Sequence, residues 1–308
     1  MKAFGYDHNG AADVFEEYDV PTPEISDDQI LIKTKAFNLN NFEKSMRAGE
    51  YKETTHQVIP GRDVAGTVAK LGANVTGFKV GDRVVAHGHG AYAEYAYAAA
   101  ARTVIIPDEV SFAEAAGLVT PGITAYKAVY HFGEVKAGQT IVVRGASGGV
   151  GSLAAQLSLN LGATVIGIGS SKNEAYVKSL GVQEYVSYNK QDPALVLANR
   201  ADVVINSALN GAGGDGDARI VKENGIITTV GGDEPLSNKP FQFKPIMPTK
   251  AISDAEALTA LLKLMAGKKL SIRIGYQLPF TVEGVIQGHE LLSKKHDGRI
   301  IVTTEADK

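Results

Sequence analysis

The sequence contains no cysteine. Without a thiol there can be no disulfide, no thiolate nucleophile and no cysteine-ligated zinc. It also lacks a dominant charge: the formal net charge is -3 over 308 residues, which gives no electrostatic reason to expect nucleic acid or an anionic membrane as partner. No stretch reaches the length of a membrane span, and the opening MKAFGYDHNG has no apolar signal core, so a cytoplasmic location is expected. There is no tandem repeat, low-complexity tract or long linker. What remains, 44% hydrophobic and 21% charged residues, is the balance of a soluble globular chain long enough for two domains.

The densest local signal is Thr140 to Gly151, TIVVRGASGGVG. Thr140 to Arg144 is a short β-branched run, as in a buried strand. Ala146-Ser147-Gly148-Gly149-Val150-Gly151 follows, and an apolar stripe begins at once with Val150, Leu153, Ala154, Leu157 and Leu161. Spacings of three and four put that stripe on one helix face. Strand, glycine turn and helix form a dinucleotide-binding context, in which backbone N–H groups and a helix N-terminus receive a pyrophosphate. Ala146 replaces the first glycine of GxGxxG, which is tolerable outside the left-handed region. Gly148 is expected to let backbone approach the phosphates, and Gly151 to let the helix lie close to the strand.

From about Phe112 strands and helices alternate. The predicted strands are Thr140–Arg144, Thr164–Ile168, Tyr185–Ser187, Ala201–Asn206 and Gly225–Val230. Helices are predicted near Val150–Leu161, Asn173–Leu180, Pro193–Ala198 and Gly216–Lys222. Five such strands predict a doubly wound parallel sheet. Residues 233 to 253 are proline-rich and non-periodic, and no backbone is assigned to them. A later amphipathic helix, Asp254 to Ala266, carries Leu258, Leu261, Leu262 and Met265. Before Ser111 the pattern differs: Gln29 to Lys35 alternates, and Val64–Leu71, Arg83–Ala86 and Tyr92–Tyr97 are short strands between glycine turns, predicting a mostly antiparallel β-domain.

Pro60 to Ala86, PGRDVAGTVAKLGANVTGFKVGDRVVA, resembles the medium-chain dehydrogenase/reductase superfamily, and within it the zinc-independent quinone oxidoreductase branch. The resemblance continues in Gly90–Tyr95, Ala115–Tyr126, the Ala146–Gly151 turn and His296–Val302, so it spans nearly the whole chain. It implies a GroES-like catalytic domain over residues 1–111, a Rossmann domain over 112–266 and a return to the catalytic domain over 267–308. The alcohol-dehydrogenase branch has Gly-His-Glu where this chain has Gly61-Arg62-Asp63, and it uses cysteines for zinc. His87 and His89 have no third ligand nearby and are expected to be solvated loop histidines, so no metal site is expected.

Cofactor choice turns on the end of the second strand, where an Asp or Glu binds the ribose 2′-OH in NAD enzymes. This chain reads Gly167-Ile-Gly-Ser-Ser-Lys172, with no acid until Glu174. Ser170 and Lys172 can donate to a 2′-phosphate. The resembling family uses a serine and a lysine here with a tyrosine after the third strand, which corresponds to Tyr188, so NADPH is expected. It also implies cofactor contacts at Thr124, at the Gly231-Gly232 pair and near Asn206, which stands where an Asp is usual. The acceptor cavity is expected in the family's interdomain cleft. In NPxDxxxRxG, Asn40, Arg47 and Gly49 fit, while Asn41 replaces proline and Glu43 replaces aspartate. Tyr51 falls on the position of a proton-donating tyrosine in the enoyl-thioester reductase branch.

Three functions follow as expectations: an NADPH-dependent reductase of quinones or other conjugated carbonyls, an enoyl-thioester reductase with Tyr51 as proton donor, or a non-catalytic NADPH-binding regulatory or structural protein. The leading reading takes Asn40 and Tyr51 as catalytic candidates, a small-molecule acceptor, no nucleic acid or membrane partner, and a homodimer by analogy.

Overall fold

The computed structural model describes residues 1–304; Glu305, Ala306, Asp307 and Lys308, the end of the 267–308 segment, lie outside the described residues. By contact the chain divides into two compact units. The first holds Met1–Thr120, Asp254–Ala266 and the chain from Ile272 onward; the second holds Pro121–Ser253 and Gly267–Ser271.

In the first unit the long strand Gln29–Asn38 is central. It pairs antiparallel with Asp63–Leu71, Arg299–Thr303 and Tyr95–Ala99. Arg83–His87 and Thr103–Ile105 extend the sheet on one side, and Ile274–Pro279 joins Arg299–Thr303 in its parallel pair. Alternation sends Ile30 and Ile32 into a core with Phe4, Phe37, Val64, Val84 and Tyr92. The predicted strand at Tyr92 starts instead at Tyr95, because Tyr92 donates its N–H to the Pro60 carbonyl at 3.1 Å and accepts from Phe4 N–H at 2.8 Å. A seven-residue helix, Asn41–Arg47, leaves the end of the central strand and buries Glu43 and Arg47 on one face.

The helix Asp254–Ala266 groups with this unit, whereas the sequence reading carried the second domain to residue 266. It buries Ala257, Leu258, Leu261, Leu262 and Met265, and Asp254 reaches His87 Nδ1 at 3.0 Å. His87 is therefore no solvated loop residue: it closes the strand Arg83–His87, half-buried against that carboxylate. His89 is exposed and stacks on Tyr97.

The second unit is a six-stranded parallel sheet. Along the sheet the strands run Glu184–Ser187, Thr164–Gly169, Thr140–Arg144, Ala201–Asn206, Val221–Thr229 and Gln242–Pro245. Numbered within the unit this is 3-2-1-4-5-6, the doubly wound order, with a switch point beside the first strand. Ile141, Val142 and Val143 are fully buried, as strands covered on both faces require. The sixth strand lies in the stretch that sequence periodicity left unassigned. The helix predicted over Gly216–Lys222 is only Asp217–Ile220, because Val221 is already extended and paired with Ala201.

Candidate functional site

Gly145 closes the first parallel strand with φ +73° and so takes the left-handed step of the turn. Ala146 is spared it and lies buried. A Cβ on Gly151 would sit 2.2 Å from the Gly145 carbonyl oxygen and 2.6 Å from Ser207 Oγ, so only glycine lets the helix start this close to the strand. Gly148 is different. A Cβ there would meet only the Gly145 carbonyl, at 3.3 Å, and the residue is exposed. It is the N-cap of Gly149–Asn160 and supplies no side-chain cap to the first-turn donors at Gly149, Val150 and Gly151. Uncapped donors at the positive end of a twelve-residue helix fit a pyrophosphate.

The end of the second strand is tied to this turn. Asn173 Nδ2 donates to Ser147 Oγ at 3.0 Å, Ser171 N–H to Asn189 Oδ1 at 2.9 Å, and Tyr188 N–H to the Gly169 carbonyl at 3.1 Å. These bonds bring Ala146–Gly151, Ser170, Lys172 and Tyr188 to one edge of the sheet. Lys172 is exposed, as is Tyr188. Tyr185 donates its hydroxyl to the Ser170 carbonyl at 2.7 Å, and burial pushes its pKa up to about 12. Glu174, the first acid after the strand, pairs with Lys178 one helical turn on, at 2.8 Å. That hydrogen bond and charge hold its carboxyl below the usual range. Asn173 and Asn189 escaped sequence reasoning. Their only signal is adjacency, one beside Lys172 and the other beside Tyr188.

A second group surrounds a polar cavity of about 350 Å³. Gly231 and Gly232 lie on its wall with Asn206, and a Cβ on Gly211 would come 2.3 Å from the Gly231 carbonyl, so two glycine turns touch there. Asn206 is 1% exposed and its amide is committed: Nδ2 donates to Asp217 Oδ2 at 2.8 Å and Oδ1 accepts from Ala208 N–H at 3.1 Å. Arg144 holds the other oxygen of Asp217 through Nε and Nη2, at 2.9 and 2.7 Å. Thr124 lies half-buried in the helix Phe112–Lys127, apart from both groups in sequence.

In the first unit Asn40 is an interior residue. Its Nδ2 donates to Asp63 Oδ2 at 2.8 Å, and its Oδ1 accepts from Asn38 Nδ2 at 2.8 Å and Arg299 Nη2 at 2.5 Å. Asp63, fully buried, also accepts from Asn38 at 2.8 Å and from the Thr120 hydroxyl at 2.5 Å. Arg299 and Asp63 are thus linked through two asparagines. Tyr51 is 65% exposed, with its ring 5.6 Å from that of Phe42, and its hydroxyl makes no hydrogen bond among the described residues.

Beside this network lies a cavity of about 480 Å³ lined by Tyr6, Phe42, Glu43, Met46, Arg62 and Tyr95, among others. The Arg62 guanidinium stacks 3.7 Å over the Phe42 ring, and its Nε lies 3.4 Å from Glu43 Oε1. Burial, and then the nearby Asp63 charge, push the Glu43 pKa up to about 7 against the opposing pull of Arg62. Glu43 Oε2 is buried without a partner. Sequence reading registered Glu43 and Arg62 only as departures from a motif. The signal available was the four-residue spacing to Arg47, which puts both charges on the buried face of one short helix.

Residues 26–108 match the family described as the alcohol dehydrogenase GroES-like domain, and residues 149–255 the one described as zinc-binding dehydrogenase. Among the described residues no group of three or more His, Cys, Asp or Glu side chains could hold a metal ion. The chain is 32% identical to a 2-methylene-furan-3-one reductase of Solanum lycopersicum, over 98% of this chain and 79% of the relative. It is likewise 32% identical to a chloroplastic quinone-oxidoreductase of Triphysaria versicolor, over 96% and 93%. The structure of a quinone oxidoreductase from Coxiella burnetii matches with a TM-score of 0.86 at 29% identity, covering 99% of both chains.

Proposed function

The chain belongs to the medium-chain dehydrogenase/reductase superfamily, in its quinone oxidoreductase-like branch, and on that premise we propose that it is a zinc-independent, NADPH-dependent reductase of quinones or related conjugated carbonyls. The observation that carries the cofactor choice is the sheet edge at Ser170, Lys172 and Tyr188. It offers hydroxyls and an ammonium where a 2′-OH-binding carboxylate would stand, and its nearest acid is held by Lys178. The uncapped helix start at Gly149 receives the pyrophosphate, with Ala146, Ser147, Gly148, Val150 and Gly151 forming the turn around it. Thr124, Gly231 and Gly232 serve the nicotinamide end in this reading, and Asn206 shapes that wall through Asp217.

Bound NADPH supplies the hydride. The chain's own part is to hold a flat acceptor and exclude water. The cavity walled by Phe42, Tyr95 and the apolar Met46, with Arg62 at one side, suits a planar conjugated carbonyl. Zinc independence rests on the donor set: no cysteine anywhere in the sequence, and Arg62-Asp63 after Gly61. Asn40 acts as a positioning residue through Asp63. The reading includes a homodimer, for which light scattering should return twice the 32.5 kDa of one chain.

The test is consumption of NADPH, followed at the reduced-nicotinamide band, by the purified protein with 1,4-benzoquinone or a simple enone in the presence of a chelator. Turnover well above an enzyme-free control is expected. Tight NADPH binding with no acceptor reduced across a broad panel would overturn the reductase reading in favour of a protein that only binds the cofactor.

A further inference from the structure

We propose that the cavity of the first unit recognises a flat organic carboxylate, its anionic end held by the unpaired end of the Arg62 guanidinium and its body laid against Phe42. On the reductase reading above, this names the acceptor class: a conjugated carbonyl compound that carries a carboxylate. Only the word acceptor rests on that reading. Every residue lining the cavity belongs to Met1–Thr120, so the site is complete within one unit.

One cation sets the charge of this cavity. Arg62 is the sole lysine or arginine among the described residues of its lining. His89 is the other basic side chain there, and burial, then the nearby His87, Arg102 and Arg62 charges, push its pKa down and hold it neutral. The α-ammonium of Met1 is already engaged, by Asp19 Oδ1 at 2.9 Å and the Val20 carbonyl at 2.6 Å. Glu43 is the one acid of the lining, and with its pKa pushed up to about 7 it leaves the Arg62 charge largely uncancelled at pH 6.

The guanidinium is oriented and still has donors to offer. Its plane is set by the stack 3.7 Å over the Phe42 ring, and its Nε makes only a long contact, 3.4 Å, with Glu43 Oε1. Nη1 and Nη2, with four N–H donors between them, make no hydrogen bond among the described residues. Neither is sealed off as Glu43 Oε2 is, and the side chain is 32% exposed. Two parallel N–H donors match the two oxygens of a carboxylate. A phosphate also fits such a fork, but its second charge and third oxygen need further cations or donors, and here they would meet Val20, Val58 and Ile59. A volume of about 480 Å³ is that of a small-molecule pocket, and the Phe42 ring, 38% exposed, offers a face to a planar body.

The experiment titrates trans-3-benzoylacrylate, an enone bearing a carboxylate, and its methyl ester into the protein by calorimetry at pH 6 without cofactor. An ordinary carboxyl is ionised there, and the chain has no thiol for the enone to alkylate. Wild type is expected to bind the acid at least about tenfold more tightly than the ester, as a charged hydrogen bond implies. Arg62→Met should bring that ratio close to one, and Arg62→Lys, which keeps the charge and loses the fork, should fall between. With NADPH present the same preference should appear in KM rather than kcat. A wild type that binds acid and ester equally overturns the proposal, whether or not any variant folds. A preference that survives in folded Arg62→Met overturns it too, because the anion then sits elsewhere. A wild type that prefers the acid in the calorimeter yet oxidises no NADPH with either compound or with a quinone overturns the reductase reading and upholds the carboxylate site.

Discussion

Glu43 shows what a single side chain can add to a fold. Its carboxyl pKa of about 7 stands above the ordinary 4.5, so between those values the folded chain holds a proton that the unfolded chain has released. Stability is therefore full below about pH 4.5, declines as pH rises through this window, and is lowest above about 7, by roughly 3 kcal/mol at 1.36 kcal/mol per pKa unit. Denaturant titrations should show Glu43→Gln gaining on wild type from pH 5 to pH 8. A constant difference across that range would contradict the buried acid. At this scale the sequence was legible where the reason was local: Gly151, expected to let the helix lie close to the strand, would put a Cβ 2.2 Å from the Gly145 carbonyl oxygen. It was opaque where a partner lies far along the chain. Asn206 reads as a strand-end residue facing a cofactor, and only the fold reveals that its amide goes to Asp217, itself held by Arg144. Tyr51 falls on a proton-donor position in the sequence and stands 65% exposed beside the Phe42 ring.

Among the elements, the strand–turn–helix at Thr140–Asn160 carries the proposed nucleotide site, and two of its four glycines, Gly148 and Gly151, have separable jobs. A Gly151→Ala methyl would meet backbone at 2.2 Å, which neither the Gly145 carbonyl nor the helix can avoid without moving. Thermal unfolding should fall by several degrees, corresponding to roughly 1–3 kcal/mol of overpacking, with NADPH binding weakened as well. Gly148→Ala meets only one contact, at 3.3 Å, so it should leave the unfolding midpoint nearly unchanged while weakening NADPH binding, because the methyl enters the phosphate approach. Equal destabilisation by both would contradict this division. The first five parallel strands were readable because strands covered on both faces are continuous apolar runs. The sixth, Gln242–Pro245, was not. It is a four-residue edge strand ending in proline, with only Phe243 and its neighbour Phe241 packed on the core. Pairing with Ile226–Thr229, which no local pattern announces, makes it a strand.

For the whole molecule, the two-part organisation was visible as a change from alternating strands to strand-helix alternation near residue 112, and the structure places the division within the helix Phe112–Lys127, at Pro121. The helix Asp254–Ala266 shows the limit. Amphipathy says that a face is buried but not in which core, and the Asp254 contact with His87 that ties it to the first unit joins residues 167 positions apart. Each unit brings one half of the proposed chemistry: a nucleotide edge without a 2′-OH-binding acid, and a cavity with aromatic walls. The most direct test of the account is the ratio of kcat/KM for NADPH over NADH with the same quinone. Charged hydrogen bonds to a 2′-phosphate contribute about 1.5–3 kcal/mol each, so a ratio of at least about tenfold in favour of NADPH is expected. A ratio of one or less would contradict the phosphate site at Ser170 and Lys172, and with it the cofactor on which the reading is built.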